Sequence, residues 1–270
     1  MTTDNTKLTT EIKDNAHEKN RMPALEEAAK LHQHRVRFER IVIQKKYDLY
    51  LPVSTSSLHA SRLKKVGFIY IPGALIDHVA YSSVATQLSD KGLVVAVLNL
   101  EPTRLATDES ASAEDISKII EEISVRCGVL DWVLGGHSLG ALRACTIIQE
   151  HHESLGISKL VLMGMYNAYR CDLSQMPVNV LVIHASEDGF KCTSEEAKNE
   201  FQTKMPPAQC SSSSSSAGGS AVYKIIQGGN HTSFASYPHQ TFPKIDGKRL
   251  ITLEEQHKYC VDWIFEFLSY

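Results

Sequence analysis

A serine in the run Gly135-Gly136-His137-Ser138-Leu139-Gly140 is the residue of this chain whose neighbours best equip it for chemistry. Glycines stand two positions before and two after it. Four mostly apolar residues, Asp131 to Leu134, lead into the turn, and an apolar helical run from Leu139 to Ile148 leaves it. A strand that turns at once into a helix forces the serine into a strained backbone conformation, and a β-carbon at Gly136 or Gly140 would collide with the neighbouring turn or helix. The Ser138 hydroxyl then stands exposed at the carboxyl end of the strand as a nucleophile. The amide of Leu139, in the first helical turn, points where an oxyanion would form. The strand before and the helix after separate this arrangement from a serine that merely caps a buried helix.

A serine hydroxyl is a weak nucleophile until a base takes its proton, and that base must be held in the right tautomer by an acid. These partners are expected at the carboxyl ends of later strands, in the order Ser, acid, His. The apolar run Val178–Ala185 ends in Ser186-Glu187-Asp188-Gly189-Phe190, which makes Asp188 the acid and Glu187 its alternative. The run Ala221–Ile226 ends in Gln227-Gly228-Gly229-Asn230-His231, a glycine-rich turn that delivers His231 as general base, with His239 in reserve. His137 is read as structural and His184 as a core histidine. A second oxyanion donor is needed from the loop after Val66–Ile71. Pro72-Gly73-Ala74-Leu75 occupies that place, and the Ala74 amide is the candidate, with Leu75 as alternative. Leu75, Met165, Tyr166, Tyr169, Phe190 and Phe234 are the candidates for an apolar substrate pocket.

These side chains need a scaffold that gathers strand ends. Strand pairs are expected at about Arg35–Ile43 and Lys46–Leu51, as an antiparallel pair at one sheet edge. From residue 66 onward strand and helix alternate. Val66–Ile71, Leu93–Leu98, the strand before Ser138, Lys159–Met163, Val178–Ala185 and Ala221–Ile226 are nearly unbroken apolar runs, as parallel strands covered on both faces must be. Helix starts are marked by Asp77, Ser112 with Asp115, Thr193 with Glu196, and Thr252 with Glu255. The fold class is therefore α/β, a mostly parallel central sheet wrapped by helices, and 164–177 leaves only a short linker where a lid could be inserted. Residues 1–34 read as an N-terminal extension, loosely attached or disordered over 1–22, with a short helix at Pro23–Leu31. Residues 35–270 form the domain proper, and 206–220 is a flexible Ser/Gly-rich loop within it.

The chain has 270 residues, 43% of them hydrophobic and 22% charged, which suits one large domain with a sizeable core. A net charge of −3 argues against a polyanion-binding surface, so no nucleic-acid partner is expected. The first thirty residues lack the apolar stretch of a secretory signal, and no run reaches the length of a membrane span; a cytoplasmic location is expected. Six cysteines, at 127, 145, 171, 192, 210 and 260, show no metal-binding spacing and are expected as free thiols. No metal and no cofactor are expected.

Residues 66–270 resemble the α/β-hydrolase superfamily, nearest its compact, lid-poor members around the dienelactone hydrolases and small esterases. Four blocks carry the resemblance, in family order: Tyr-Ile-Pro-Gly-Ala-Leu-Ile-Asp (70–77), Gly-His-Ser-Leu-Gly (136–140), Ile-His-Ala-Ser-Glu-Asp-Gly (183–189) and Gly-Gly-Asn-His-Thr-Ser-Phe (228–234). The departures are Ser138 where dienelactone hydrolases carry cysteine, Pro72-Gly73 where many esterases have His-Gly, and Ala185 where a glycine often precedes the acid turn. The resemblance implies a serine hydrolase acting on small to medium carboxylic esters or thioesters. An acyltransferase or thioesterase with the same triad, or a receptor that keeps the pocket without turnover, stays open at this point.

Overall fold

The computed structural model describes residues 17–37, 41–52, 66–168, 171–208 and 218–269. The expectations for residues 1–16, for Tyr169 and for most of the Ser/Gly-rich loop lie outside them. Eight strands form one sheet: β1 (Ile41–Ile43), β2 (Tyr47–Tyr50), β3 (Val66–Ile71), β4 (Val94–Leu98), β5 (Asp131–His137), β6 (Lys159–Met163), β7 (Asn179–Ala185) and β8 (Ala221–Ile226). Their order is β1-β2-β4-β3-β5-β6-β7-β8, with β1 and β2 antiparallel at one edge and the remaining six parallel. The parallel part starts mid-sheet with β3, steps to β4, then crosses back to β5, so the carboxyl ends of β3 and β5 are adjacent where the winding reverses. Crevices at such reversals are where open α/β sheets bind ligands.

Strands β3 to β7 are buried along most of their length on both faces, with residues alternating between two cores, whereas β8 at the edge is largely half-buried. Ile69, Ile71, Leu134, Leu160 and Leu162 face one side, against α3 (Ala113–Cys127) and α4 (Leu139–Leu155). Phe68, Tyr70, Val133, Val161 and Ile183 face the other, against α2 (Ser82–Asp90) and α6 (Leu253–Leu268). Each such buried side chain contributes about 1.5–3 kcal/mol. The caps form largely where the residue types place them. Asp77 accepts from Val79 N–H and starts a 3-10 turn over His78–Tyr81, Ser112 caps α3, and Thr252 with Glu255 closes a capping box on α6. For α5 (Glu195–Thr203) the cap is Ser194, one residue later than expected. No helix among the described residues is long and apolar enough to cross a membrane.

Two expectations are corrected. Of the strand expected over Arg35–Ile43, Ile41–Ile43 is strand, but Arg35–Arg37 belong to the helix α1, which runs over Glu26–Arg37. Tertiary contact decides this: Arg35 is buried and pairs with Asp90 of α2 at 2.8 Å, and His32 bonds the buried Asp48 of β2 at 2.7 Å. The thiols are not all free either. Cys145 of α4 and Cys171 form a disulfide, their Cα atoms 6.3 Å apart. Packing α4 on β6 carries the helix past the loop that leaves that strand, a proximity that spacing along the chain cannot reveal.

α6 docks on α2 partly through His257, which is 1% exposed and whose Nδ1 lies 3.0 Å from Ser83 Oγ. Burial, assisted by Arg249, depresses its pKa to about 4, against the opposing pull of a backbone contact with Ala235. The unfolded chain therefore binds a proton below the usual histidine pKa that the folded chain refuses, so stability rises with pH between about 4 and 6.5. We expect the unfolding free energy from urea titration to fall on acidification through this window. His257→Gln should flatten the fall by up to about 1.4 kcal/mol per pH unit. A Gln variant with the wild-type slope would contradict this.

Candidate active site

The turn from β5 into α4 is built by close backbone approach. Ser138 has φ 56° and ψ −119°, a left-handed conformation that costs a non-glycine residue about 1–3 kcal/mol. The surroundings fix it: Ser138 N–H donates to the Met163 carbonyl at 2.9 Å, and the Ser138 carbonyl accepts from Ala141 and Leu142 N–H, each at 3.1 Å. A β-carbon on Gly136 would overlap the Gly140 backbone, and one on Gly140 would overlap the carbonyls of Ile71 and Pro72. The two glycines thus let α4 press against both β5 and the end of β3.

The loop after β3 supplies the facing amide. Four amides of the Gly73–Asp77 stretch already donate: Gly73 to Tyr81 Oη at 2.8 Å, Leu75 to the Arg104 carbonyl at 2.6 Å, Ile76 to the Gly73 carbonyl at 3.4 Å and Asp77 to the Met22 carbonyl at 2.9 Å. The Ala74 amide has no acceptor among the described residues, nor has the Leu139 amide at the start of α4. The Leu75 amide is thus occupied by the Arg104 carbonyl.

Asp188 and His231 meet at the ends of β7 and β8. Asp188 Oδ2 lies 2.8 Å from His231 Nδ1, both side chains fully buried, and Asp188 Oδ1 accepts from Phe190 N–H at 2.7 Å. The Phe190 ring covers the imidazole, with centroids 4.5 Å apart. His231 Nε2 is buried without a hydrogen-bond partner. It forms no hydrogen bond to Ser138, yet both residues line one cavity of about 540 Å³. Hydrogen bonds of this kind commonly tighten only when substrate is bound. Glu187 instead accepts from Ser186 Oγ, and His239 is exposed in a different hollow.

His137 is structural, but it does not stand apart from the site. Its ring packs on His231, centroids 4.6 Å apart, and its Nδ1 lies 2.9 Å from Tyr81 Oη. Burial, and then the proximity of His231, hold its pKa well below the usual histidine range. Burial holds the Tyr81 hydroxyl far above its usual range. A neutral imidazole and a protonated Tyr81 therefore share one hydrogen bond, and the Tyr81 oxygen also accepts from Gly73 N–H. This relay ties the base of the histidine loop to the oxyanion loop.

Of the expected pocket residues, Leu75, Met165, Tyr166 and Phe190 line the cavity with Ser138. Phe234 does not. It is fully buried against His137, with centroids 5.3 Å apart, because its short 3-10 turn carries it behind the histidine. His184 is half-buried, stacked on Tyr166 and bonded to the Met165 carbonyl at 2.8 Å. The Tyr166 hydroxyl in turn bridges Ala185 N–H and carbonyl at 3.1 Å, fixing the end of β7 just before the acid turn. Leu105, Leu142, Gln240 and Phe242 also line the cavity and were not anticipated.

The residue that sequence reading missed is Asp246. Its buried carboxylate accepts from Gly189 N–H at 2.9 Å, His231 N–H at 3.2 Å, and Thr232 N–H and Oγ1 at 2.7 Å each. One side chain thus pins the acid turn to the histidine turn. Asp246-Gly247 has the form of an ordinary surface turn, and no local pattern distinguishes it.

A family model described as Alpha/beta hydrolase family matches residues 67–258. Together with the sheet order and the nucleophile turn, this establishes the class: the chain belongs to the α/β hydrolase family. No curated protein matches it. Among solved structures it is similar to an alpha-beta serine hydrolase homologue from Coxiella burnetii, at 15% identity and TM-score 0.51, covering 82% of this chain and 94% of that one. It is also similar to a thermophilic esterase from Thermogutta terrifontis, at 12% identity and TM-score 0.52, covering 85% and 93%. A ferulic acid esterase from Streptomyces cinnamoneus matches at 12% identity and TM-score 0.52, covering 77% and 67%. At these identities the likeness is one of fold.

Replacing Asp246 by Asn swaps one acceptor oxygen for a donor that must face N–H groups. We expect Asp246→Asn to lower the turnover of an activated ester by tenfold or more, on the order of a misplaced catalytic group. Far-UV circular dichroism should be unchanged. Wild-type turnover in this variant would show that the clamp is dispensable.

Proposed function

We propose that the chain is a serine hydrolase that cleaves small to medium carboxylic esters or thioesters through an acyl-enzyme. The observation that carries this reading is the buried 2.8 Å bond between Asp188 and His231, whose second ring nitrogen is unpartnered at the cavity that Ser138 lines. In the first step His231 Nε2 takes the Ser138 proton as the oxygen attacks the substrate carbonyl. Asp188 stays ionised and stabilises the imidazolium. The amides of Leu139 and Ala74 receive the oxyanion, each worth about 3 kcal/mol in the transition state. The imidazolium then returns its proton to the leaving alcohol or thiol, and water deacylates the serine by the same steps in reverse order.

Substrate size follows from the cavity. Leu75, Leu105, Leu142, Met165 and Phe190 give it a mainly apolar wall, and at about 540 Å³ it suits a short or medium acyl group. The absence of a bond between Ser138 and His231 favours one other reading, a receptor that binds such molecules without turning them over. A fluorophosphonate probe and a chain-length series of p-nitrophenyl esters decide between them. Wild type should label and Ser138→Ala should not, with kcat/KM highest at short or medium chains. A wild type that fails to label, but gains thermal stability from ester analogues, would replace catalysis with binding. A rate maximum at long chains would remove the assigned substrate size.

A further inference from the structure

The oxyanion loop is held by more than the sheet it follows. An N-terminal stretch runs beside it, with Met22 N–H donating to the Leu75 carbonyl at 2.8 Å and Asp77 N–H donating to the Met22 carbonyl at 2.9 Å. This is a parallel bridge between Met22 and Ile76. Both ends of the stretch are tied to the rim of the same site. Arg21 bonds the Pro102 carbonyl and pairs with Glu101 at 3.9 Å, in the turn whose Arg104 accepts the Leu75 amide. Leu25 N–H donates to the Ser236 carbonyl at 2.8 Å, just beyond the turn that follows His231. His17 lines the cavity that holds Ser138. The helix that follows the stretch is anchored through His32 to Asp48, the carboxylate that His78 also reaches at 3.1 Å.

The bridge matters because of what lies within it. Leu75 has φ 63°, a left-handed conformation that a leucine holds only when its surroundings over-determine it. Its amide is fixed by Arg104 and its carbonyl by Met22. Without the second tie, relaxation of Leu75 toward negative φ would rotate the peptide planes beside it and turn the Ala74 amide away from Ser138. We propose that residues 20–25 are a positioning strap of the active site, with the Met22 backbone holding the oxyanion loop in the strained form that aims Ala74. The proposal rests on the serine hydrolase reading. The oxyanion exists only after attack, so the strap stabilises the transition state and leaves ground-state binding alone.

The test compares full-length Met22→Pro, which lacks the amide donor, with Met22→Ala, which keeps both backbone bonds, and with a truncation beginning at residue 24. Active sites are counted by fluorophosphonate titration, so unfolded molecules do not enter the rates. On titrated sites, Met22→Pro and the truncation should lose about 10- to 100-fold in kcat with KM within twofold of wild type. They should lose a similar factor in affinity for a trifluoromethyl ketone, which forms a tetrahedral oxyanion on the serine. Met22→Ala should stay within threefold. Wild-type kcat in both strap variants, a loss confined to KM, or failure of both to retain titratable sites would overturn the strap and leave the segment a role in stability alone. Absence of turnover in the full-length wild type would instead remove the hydrolase reading beneath it.

Discussion

The candidate site depends on how closely α4 approaches the end of β3. Hydrogen at Gly136 and Gly140 lets the first turn of α4 lie against the carbonyls of Ile71 and Pro72. That contact fixes the separation between the nucleophile turn and the loop carrying Ala74. It also places the N-terminus of α4, with its unpaired amides, at the sheet reversal where β3 and β5 lie side by side. A single added methyl group at either glycine would prise the two loops apart, so the strain at Ser138 and the placing of the Ala74 loop share one cause. The strain is tolerated because bonds to Met163, Ala141 and Leu142 leave the turn no relaxed alternative.

The other half of the site is assembled by polar contacts between buried side chains. Asp188 and His231 come from different strand ends, and three groups prevent them from drifting. Asp246 pins both turns, and the rings of Phe190 and His137 both pack against the imidazole. A neutral His137 suits that place, since a second positive charge there would oppose the imidazolium that the proposed reaction forms. Burial enforces this neutrality, and Tyr81 links His137 Nδ1 to Gly73 N–H. Packing and protonation state thus serve the same end.

How much of this was legible in the sequence depended on the range of the interaction. Apolar runs of five to seven residues, the glycines around Ser138 and the caps at Asp77, Ser112 and Thr252 are local signals, and the structure contains the elements they imply. Asp188 and His231 could be picked out because each follows a strand directly, and a parallel sheet brings strand ends together whatever the loops contain. Contacts between segments without such a rule were not legible. The Cys145–Cys171 pairing, the Asp246 clamp, the fully buried placing of Phe234 and the continuation of α1 through Arg37 all depend on partners far along the chain. Propensity and spacing describe a residue's neighbours in sequence, and these side chains are defined by neighbours in space.

The unbonded pair Ser138 and His231 fits this division of constraints. The imidazole is packed against two aromatic rings and bonded at Nδ1, and the serine backbone is fixed by three hydrogen bonds. What remains adjustable is the serine side-chain torsion, whose staggered positions differ by little compared with the cost of moving either backbone. A site of this kind keeps its expensive elements preorganised and leaves its cheapest degree of freedom to the serine side chain. The buried, unpartnered Nε2 belongs to a residue that lines the same cavity as Ser138, so a group in that cavity could supply its hydrogen bond.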